Sequence, residues 1–149
     1  MVDEIKLLDL NTYIDDRGCL SVLCQTSDKI MPKIERIYMI TNFNKGIVRG
    51  FHKHKLNWDC FVVTSGSLKI VLIDDREKSK DYKKKITFVL SDKKPQALII
   101  PPGVWHGLMG VDNRTQFISI CSENLDRNNP DEERISPDSF GDVWELKSR

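Results

Sequence analysis

The hydrophobic residues of this chain fall in short runs that are separated by turn residues. Nine runs of four to seven residues are rich in Val, Ile, Leu and Phe, which is typical of β-strands. The runs are Leu20–Cys24, Ile34–Ile40, Ile47–Phe51, Cys60–Thr64, Leu68–Ile73, Lys85–Leu90, Ala97–Ile100, Gly107–Val111 and Gln116–Cys121. No stretch of 12 residues before the C-terminal end has a helical period. The pattern predicts an all-β domain: a sandwich, a jelly roll or a small barrel.

The length of 149 residues is that of one domain, and no linker or internal repeat divides it. From about residue 124 the chain becomes polar, and apolar residues return at Phe140, Val143, Trp144 and Leu146. We therefore expect residues 1–149 to form a single domain, with a C-terminal tail that docks on the barrel or on a partner subunit.

Charge and cysteine content narrow the class of protein. The chain has 23 basic and 22 acidic residues, so we expect neither nucleic acid nor a membrane as a partner. The first ten residues lack the apolar segment of a signal peptide, and no apolar run approaches the roughly 18 residues of a membrane span. The four scattered cysteines indicate reduced thiols. Together these features predict a cytoplasmic protein.

The three histidines of the chain fall in two short motifs. His52 and His54 are two residues apart, so a β-strand would place both imidazoles on one face. His106 follows the turn-forming stretch Pro101–Gly103. Imidazole transfers protons near neutral pH and is also a common metal ligand. The two motifs therefore predict a functional site.

The spacing around these histidines resembles the two signature motifs of the cupin superfamily. His52-x-His54 is followed by the acidic Asp59 and then by a glycine turn, and the second block has the form PxGxxH and ends at His106. The resemblance implies a double-stranded β-helix, which is the cupin type of jelly-roll barrel. Asp59 stands where most metal-binding cupins have glutamate, and Gly110 stands where the second motif usually ends in asparagine.

A narrower resemblance extends over nearly the whole chain. Four segments are similar to the cupins that epimerise or isomerise dTDP-linked 4-keto-6-deoxy sugars: Asp15–Gly18, Glu35–Tyr38, Arg49–His52 and Ile100–Gly107. The form Arg-Gly-x-His-x-His-Lys resembles the 3,4-ketoisomerases, whereas the ending from Pro130 to Trp144 resembles the 3,5-epimerases. The resemblance implies an isomerase or epimerase of deoxy-sugar or polysaccharide biosynthesis that removes a proton beside the sugar ketone.

The same resemblance implies roles for individual residues. His52 matches the general base, and Asp126 is the nearest counterpart of the acidic residue that orients this base in the epimerases. His54 matches the second histidine of the ketoisomerases, and Tyr38 lies near a tyrosine of their pocket. The resemblance places Arg17 and Arg49 on the nucleotide diphosphate. The chemistry also needs a donor to the enolate oxygen, which His54, Tyr38 or Lys55 could supply. His106, in the second motif, is a further expected substrate contact.

Two positions depart from the epimerase pattern. Asp59 stands at about the place of an epimerase lysine, and the general-acid tyrosine of the epimerases aligns near Ser119. Double epimerisation needs a base on one face of the sugar and an acid on the other. Ketoisomerisation or epimerisation at a single carbon therefore fits these residues better than full 3,5-epimerisation.

Two further functions stay open at this point. His52, His54, Asp59 and His106 form a set that could hold a divalent metal and leave positions open for a substrate. A cupin that binds a sugar without catalysis is the third hypothesis. The leading hypothesis is a metal-free enzyme without a cofactor. The family resemblance also implies a homodimer in which the N-terminal segment, with Arg17, crosses to the partner.

Overall fold

The computed structural model describes residues 4–146, which form an almost entirely β structure. One short 3₁₀ helix covers Thr26–Asp28. The strands in this range are β1 (Lys6–Asp9), β2 (Thr12–Asp15), β3 (Gly18–Ser21), β4 (Arg36–Asn42), β5 (Val48–His54), β6 (Asp59–Ser65), β7 (Ser67–Asp74), β8 (Lys85–Ser91), β9 (Gln96–Ile100), β10 (Val104–Gly110), β11 (Thr115–Cys121) and β12 (Glu132–Arg134). Within residues 4–146 there is no helix long and apolar enough to cross a membrane.

The strands form two five-stranded antiparallel sheets and a separate hairpin. The first sheet has the order β1-β9-β6-β11-β4, and the second has the order β12-β5-β10-β7-β8. The hairpin consists of β2 and β3. From β4 to β12, successive strands alternate between the two sheets, apart from the β7–β8 hairpin. This winding is that of a jelly roll, so the predicted all-β cupin fold is confirmed.

Each of the nine predicted runs overlaps a strand of the structure. The apolar pattern does not predict β1, β2 or β12, which have three or four residues each. Such short strands mix polar and apolar residues, and pairing with a neighbour defines them more than their own composition does. The third of these, β12, lies inside the polar segment that begins near residue 124 and pairs with β5.

Apolar side chains from both sheets fill the space between them. The main cluster consists of Phe61, Val63, Leu68, Ile70, Leu72, Leu90, Leu98, Ile100, Val104, Leu108 and Phe117. Strand β7 is buried along almost its whole length because it lies between β8 and β10. Phe61 and Leu108 also border a polar cavity, so the apolar core forms part of the wall of that cavity.

The segment after β12 packs on the outer face of the second sheet. The ring of Phe51, on β5, lies 4.8 Å from the ring of Phe140 and 5.3 Å from that of Trp144. Val143 is buried in the same cluster, whereas Leu146 is exposed. The tail therefore covers the side of β5 that faces away from His52.

Gly107, on β10, leaves the space that the Trp144 ring occupies. A Cβ atom at this position would lie 2.6 Å from Trp144 and 2.9 Å from Phe51. We predict that Gly107→Ala lowers the free energy of unfolding by roughly 1–3 kcal/mol, because the added methyl group overpacks this contact. Urea unfolding measures the change. In a Trp144→Ala background the same substitution should cost less, and an equal cost in both backgrounds would contradict this explanation.

Candidate functional site

All three histidines meet in a cavity of about 400 Å³ between the two sheets. His52 and His54 project from β5 into this cavity, and His106 on β10 is the register partner of His52. The ring of His106 lies 6.0 Å from that of His52 and 5.5 Å from that of His54. Two motifs far apart in the sequence thus form one cluster of imidazoles.

Gly50 allows β5 to approach β10 closely beside this cluster. A Cβ atom at Gly50 would lie 2.7 Å from the Cα atom of Gly107 and 2.9 Å from the carbonyl oxygen of His106. Its φ of +130° is also one that side-chain-bearing residues rarely adopt. The glycine of the Arg-Gly-x-His motif is therefore needed for the strand contact that places His52 beside His106.

Asp59, at the start of β6, is a buried carboxylate that faces two of the imidazoles. Its Oδ2 atom lies 3.4 Å from Nε2 of His54 and 3.7 Å from Nε2 of His106. Its Oδ1 atom accepts hydrogen bonds from three side chains: Asn57, Ser119 and Cys121. These contacts replace the hydration that a carboxylate loses on burial.

Burial changes the acid–base properties of three side chains. It lowers the pKa of His106 to about 4, against the opposing charge of Asp59. It also lowers the pKa of His52, although Glu132 acts in the opposite direction. Burial raises the pKa of Tyr38 to about 12. At neutral pH the His52 and His106 rings are therefore neutral, and the Tyr38 phenol keeps its hydrogen.

Asp131, which precedes β12, holds His54 and the turn that follows it. The backbone carbonyl oxygen of Asp131 lies 2.6 Å from Nδ1 of His54. Because Nε2 of the same ring faces Asp59, both ring nitrogens face acceptor oxygens, which fixes the orientation of the ring. The Asp131 carboxylate accepts three backbone N–H groups of the turn, those of Lys55, Leu56 and Asn57.

The carboxylate beside His52 is that of Glu132, and not that of Asp126. Oε1 of Glu132 lies 3.9 Å from Nε2 of His52, because β12 pairs with β5. The Asp126 side chain accepts two backbone N–H groups of its own exposed loop. This placement corrects the prediction for Asp126. Glu132 is not among the residues predicted from the sequence, where its signal is the acidic run Asp131–Glu133.

Tyr38 and Arg49 line the cavity together with the histidines. Tyr38 projects from β4, in the sheet opposite β5. Nε of Arg49 donates to Oδ1 of Asn42 at 2.7 Å, and one Nη atom donates to the carbonyl oxygen of Thr41 at 3.3 Å. Both partners are neutral, so these bonds orient the guanidinium and leave its charge available.

Arg17 and Lys55 lie outside this cavity. Arg17 is exposed in the turn between β2 and β3, where it forms an ion pair with Asp15. Lys55 is exposed just beyond the end of β5 and does not line the cavity, so its position does not support the expected contact with an enolate oxygen. Within one protomer, the site therefore contains one of the two arginines expected on the diphosphate.

Three of the four residues of the alternative metal set lie close together. One ligand atom each from His54, Asp59 and His106 falls within 4.8 Å of the others. His52 is not part of this group, and its Nε2 atom faces Glu132. Two imidazoles and a carboxylate suit a divalent transition metal, so the donor set is compatible with one.

Comparisons with known proteins point to one family. A family model described as FdtA: WxcM-like, C-terminal, matches residues 3–133. A probable low-salt glycan biosynthesis epimerase of Haloferax volcanii is 30% identical, over 92% of this chain and 89% of the relative. A TDP-4-oxo-6-deoxy-alpha-D-glucose-3,4-oxoisomerase of Aneurinibacillus thermoaerophilus is 27% identical, over 83% of this chain and 82% of the relative.

A solved structure shows the same fold. It is a dTDP-4-dehydrorhamnose 3,5-epimerase from Bacillus anthracis with TDP and PPi bound. It superposes with a TM-score of 0.85 at 19% identity, over 97% of this chain and 87% of that chain. At this identity the likeness bears on the fold alone.

Proposed function

The chain belongs to the FdtA family, described as WxcM-like, C-terminal, and from this premise we propose that it is a 3,4-ketoisomerase of a dTDP-linked 4-keto-6-deoxy sugar. The observation that carries the proposal is the pair of neighbouring imidazoles, His52 and His54, in a cavity that Tyr38 and Arg49 also line. The relative named as a 3,4-oxoisomerase supports the same activity.

His52 is the proposed general base. A hydrogen on the carbon beside a ketone is acidic because the carbanion delocalises into the carbonyl group, and a positioned imidazole contributes roughly 10²- to 10⁴-fold to its removal. Burial lowers the pKa of His52, so the ring is neutral at neutral pH and can accept this hydrogen as a proton. Glu132 beside the ring stabilises the imidazolium that forms.

The isomerisation moves one carbon-bound and one oxygen-bound hydrogen. His52 removes the hydrogen from C3, the released electron pair forms the C3=C4 double bond, and the C4 oxygen becomes anionic. The proton on His52 exchanges with solvent, and His52 then delivers a proton to C4 while the hydrogen of the C3 hydroxyl passes to the C4 oxygen, which leaves the ketone at C3. Tyr38, with a pKa raised to about 12, remains a phenol that donates a hydrogen bond to a substrate oxygen.

Arg49 is the proposed contact for the diphosphate. Its guanidinium has forked donors that match phosphate oxygens, and its bonds to Asn42 and Thr41 point it along the cavity wall. The ring of His54 is held between the carbonyl oxygen of Asp131 and the carboxylate of Asp59. We propose that it orients the sugar beside the base. His106 is fully enclosed, which supports a structural role behind these two rings.

We predict that in D₂O the protein removes the C3 hydrogen of dTDP-4-keto-6-deoxyglucose and yields a 3-keto product with deuterium at C4, as followed by NMR. His52→Asn should abolish the exchange because asparagine cannot accept the hydrogen. Glu132→Gln should slow it by roughly 10- to 100-fold while His52 remains in place, because the imidazolium loses its carboxylate.

The exchange experiment also separates the competing functions. A product that keeps the ketone at C4 and is inverted at C3 would identify an epimerase instead. If the wild-type protein binds the nucleotide sugar but neither exchanges hydrogen nor forms a new product, it is a sugar-binding cupin and the enzyme proposal fails. Asp112→Asn serves as the acidic control, because Asp112 is exposed and lines neither cavity, and it should exchange at the wild-type rate.

We further propose a homodimer in which the β2–β3 hairpin reaches the partner's cavity. The hairpin forms no strand pairing with either main sheet in the described part of the chain, and it exposes three large apolar side chains: Tyr13, Ile14 and Leu20. Strand β4, at the edge of the first sheet, exposes Ile37 and Met39. Apolar surface of this kind is typical of an interface, and Arg17 at the hairpin tip would supply the second arginine.

A complementation experiment tests this arrangement. Arg17→Ala and His52→Asn should each be inactive alone. Mixed dimers, formed by refolding the two variants together, should recover about a quarter of the wild-type activity, because half of the dimers contain one intact site. No recovery, despite mixed dimers seen by native mass spectrometry, would place Arg17 outside the partner's site.

A metal-dependent cupin is the second candidate, and the close group of His54, Asp59 and His106 favours it. A metal held by these residues would polarise the ketone as a Lewis acid. For the metal-free proposal we predict that protein purified without a histidine tag exchanges at an unchanged rate after dialysis against EDTA. Stoichiometric metal that is lost in His54→Ala but kept in His52→Ala would contradict it.

The cellular setting is part of the same proposal. All four cysteines are free thiols, two of them buried, which supports the reducing cytoplasm as the compartment. The Haloferax relative is named for glycan biosynthesis, which supports a role in supplying a deoxy sugar to a polysaccharide.

A further inference from the structure

Arg36 has an unused donor in the interior of the barrel. It is the first residue of β4, two positions before Tyr38, so both side chains share the inner face of the strand. Its Nε atom is buried and is the one such side-chain nitrogen or oxygen within residues 4–146 that lacks a hydrogen-bond partner. A buried N–H group without an acceptor costs free energy, so a ligand oxygen that accepts from this atom would be stabilised.

Arg36 forms no ion pair within residues 4–146, and Asp59 acts on its charge only from beyond ion-pair distance. One Nη atom lies 3.6 Å from Sγ of Cys121, which is a weak acceptor. The guanidinium lies 5.0 Å from the centre of the Tyr38 ring, at cation–π distance. These two contacts orient the group, and neither satisfies its forked donors.

A second cavity, of about 440 Å³, opens beside Arg36. It shares His54, Glu132 and Arg134 with the cavity of the histidines, so the two adjoin. The polar side chains of Asn57 and Asn124 also line it. A ligand that fills the first cavity can therefore extend past His54 into the second.

The order of groups along β5 decides which part of the substrate would reach Arg36. Arg49, His52 and His54 follow one another, and Arg49 to His54 spans about 16 Å at the rise of an extended strand. A diphosphate on Arg49 places the attached sugar over the two histidines. The far edge of the sugar then lies toward the second cavity.

We propose that Arg36 donates hydrogen bonds to the ketone oxygen of the sugar and stabilises the negative charge that develops there. The inference rests on the proposed ketoisomerase function and adds a catalytic residue to it. The guanidinium carries a permanent charge, so it needs no proton transfer to act on an enolate oxygen. Removing one donor to such an oxygen typically slows a reaction by about 10²- to 10³-fold.

Two measurements on Arg36 variants test the inference: affinity for dTDP, which lacks the sugar, and the rate of C3 hydrogen exchange in D₂O. Arg36→Met should bind dTDP as the wild type does but exchange on the order of 100-fold more slowly. Arg36→Lys, which keeps the charge, should recover part of the rate. Arg49→Met should instead weaken dTDP binding, and the exposed Arg114→Met serves as the control.

Several outcomes would overturn the inference. One is hydrogen exchange at the wild-type rate in Arg36→Met. Another is a loss of dTDP affinity in Arg36→Met equal to that in Arg49→Met, because such a loss would place Arg36 at the diphosphate. Circular dichroism checks folding, and if the methionine variant does not fold, Arg36→Lys is judged by the same two measurements.

The two proposals can fail separately. If the wild-type protein exchanges no hydrogen, the ketoisomerase proposal fails. The Arg36 contact is then judged by binding alone. The extra affinity of dTDP-4-keto-6-deoxyglucose over dTDP should disappear in Arg36→Met, and its persistence would overturn the contact.

Discussion

The burial of one carboxylate, that of Asp59, is the constraint on which the polar interior depends. A charge removed from water must regain its hydration from the protein, and Asp59 does so through two imidazoles and three hydrogen-bond donors. These groups come from β5, β10, β11 and the turn before β6. The arrangement of strands that satisfies Asp59 also places the ring of His54 beside that of His106. The contacts that stabilise the buried Asp59 carboxylate therefore hold both the strands and the histidines in place.

The two ends of the proposed substrate path differ in chemistry. At one end, Arg49 is oriented by neutral partners and faces open space, as suits a diphosphate that arrives from solvent. In the middle, burial lowers the pKa of His52, and the Glu132 carboxylate lies beside the ring, where it can pair with the imidazolium. At the other end, the Arg36 guanidinium lies 5.0 Å from the centre of the Tyr38 ring. In this proposed arrangement the base, His52, has a permanent cation on each side, Arg49 and Arg36. Positive charge on both sides favours an anionic intermediate.

Much of the fold and half of the site can be predicted from the sequence, for physical reasons. Strands such as β7 are buried on both faces, so they are continuous apolar runs that composition reveals. His52 and His54 share a face because strand geometry has a period of two residues. Glu132 could not be predicted in the same way. Its strand is short and polar, and it reaches His52 through a pairing with β5 across nearly 80 residues of chain, which no local pattern encodes.

The docking of Trp144 on Gly107 has a consequence for how the protein is made. The barrel strands up to β11 emerge from the ribosome before β12 and the tail, and they contain the main apolar core. A nascent chain can thus close its barrel while β5 still has an open edge, without Asp131 or Glu132 beside the histidines. That edge is covered when β12 pairs with β5, and the aromatic residues of the tail then pack on the face of β5 that points away from His52. The site is therefore complete only in a chain whose β12 has paired with β5.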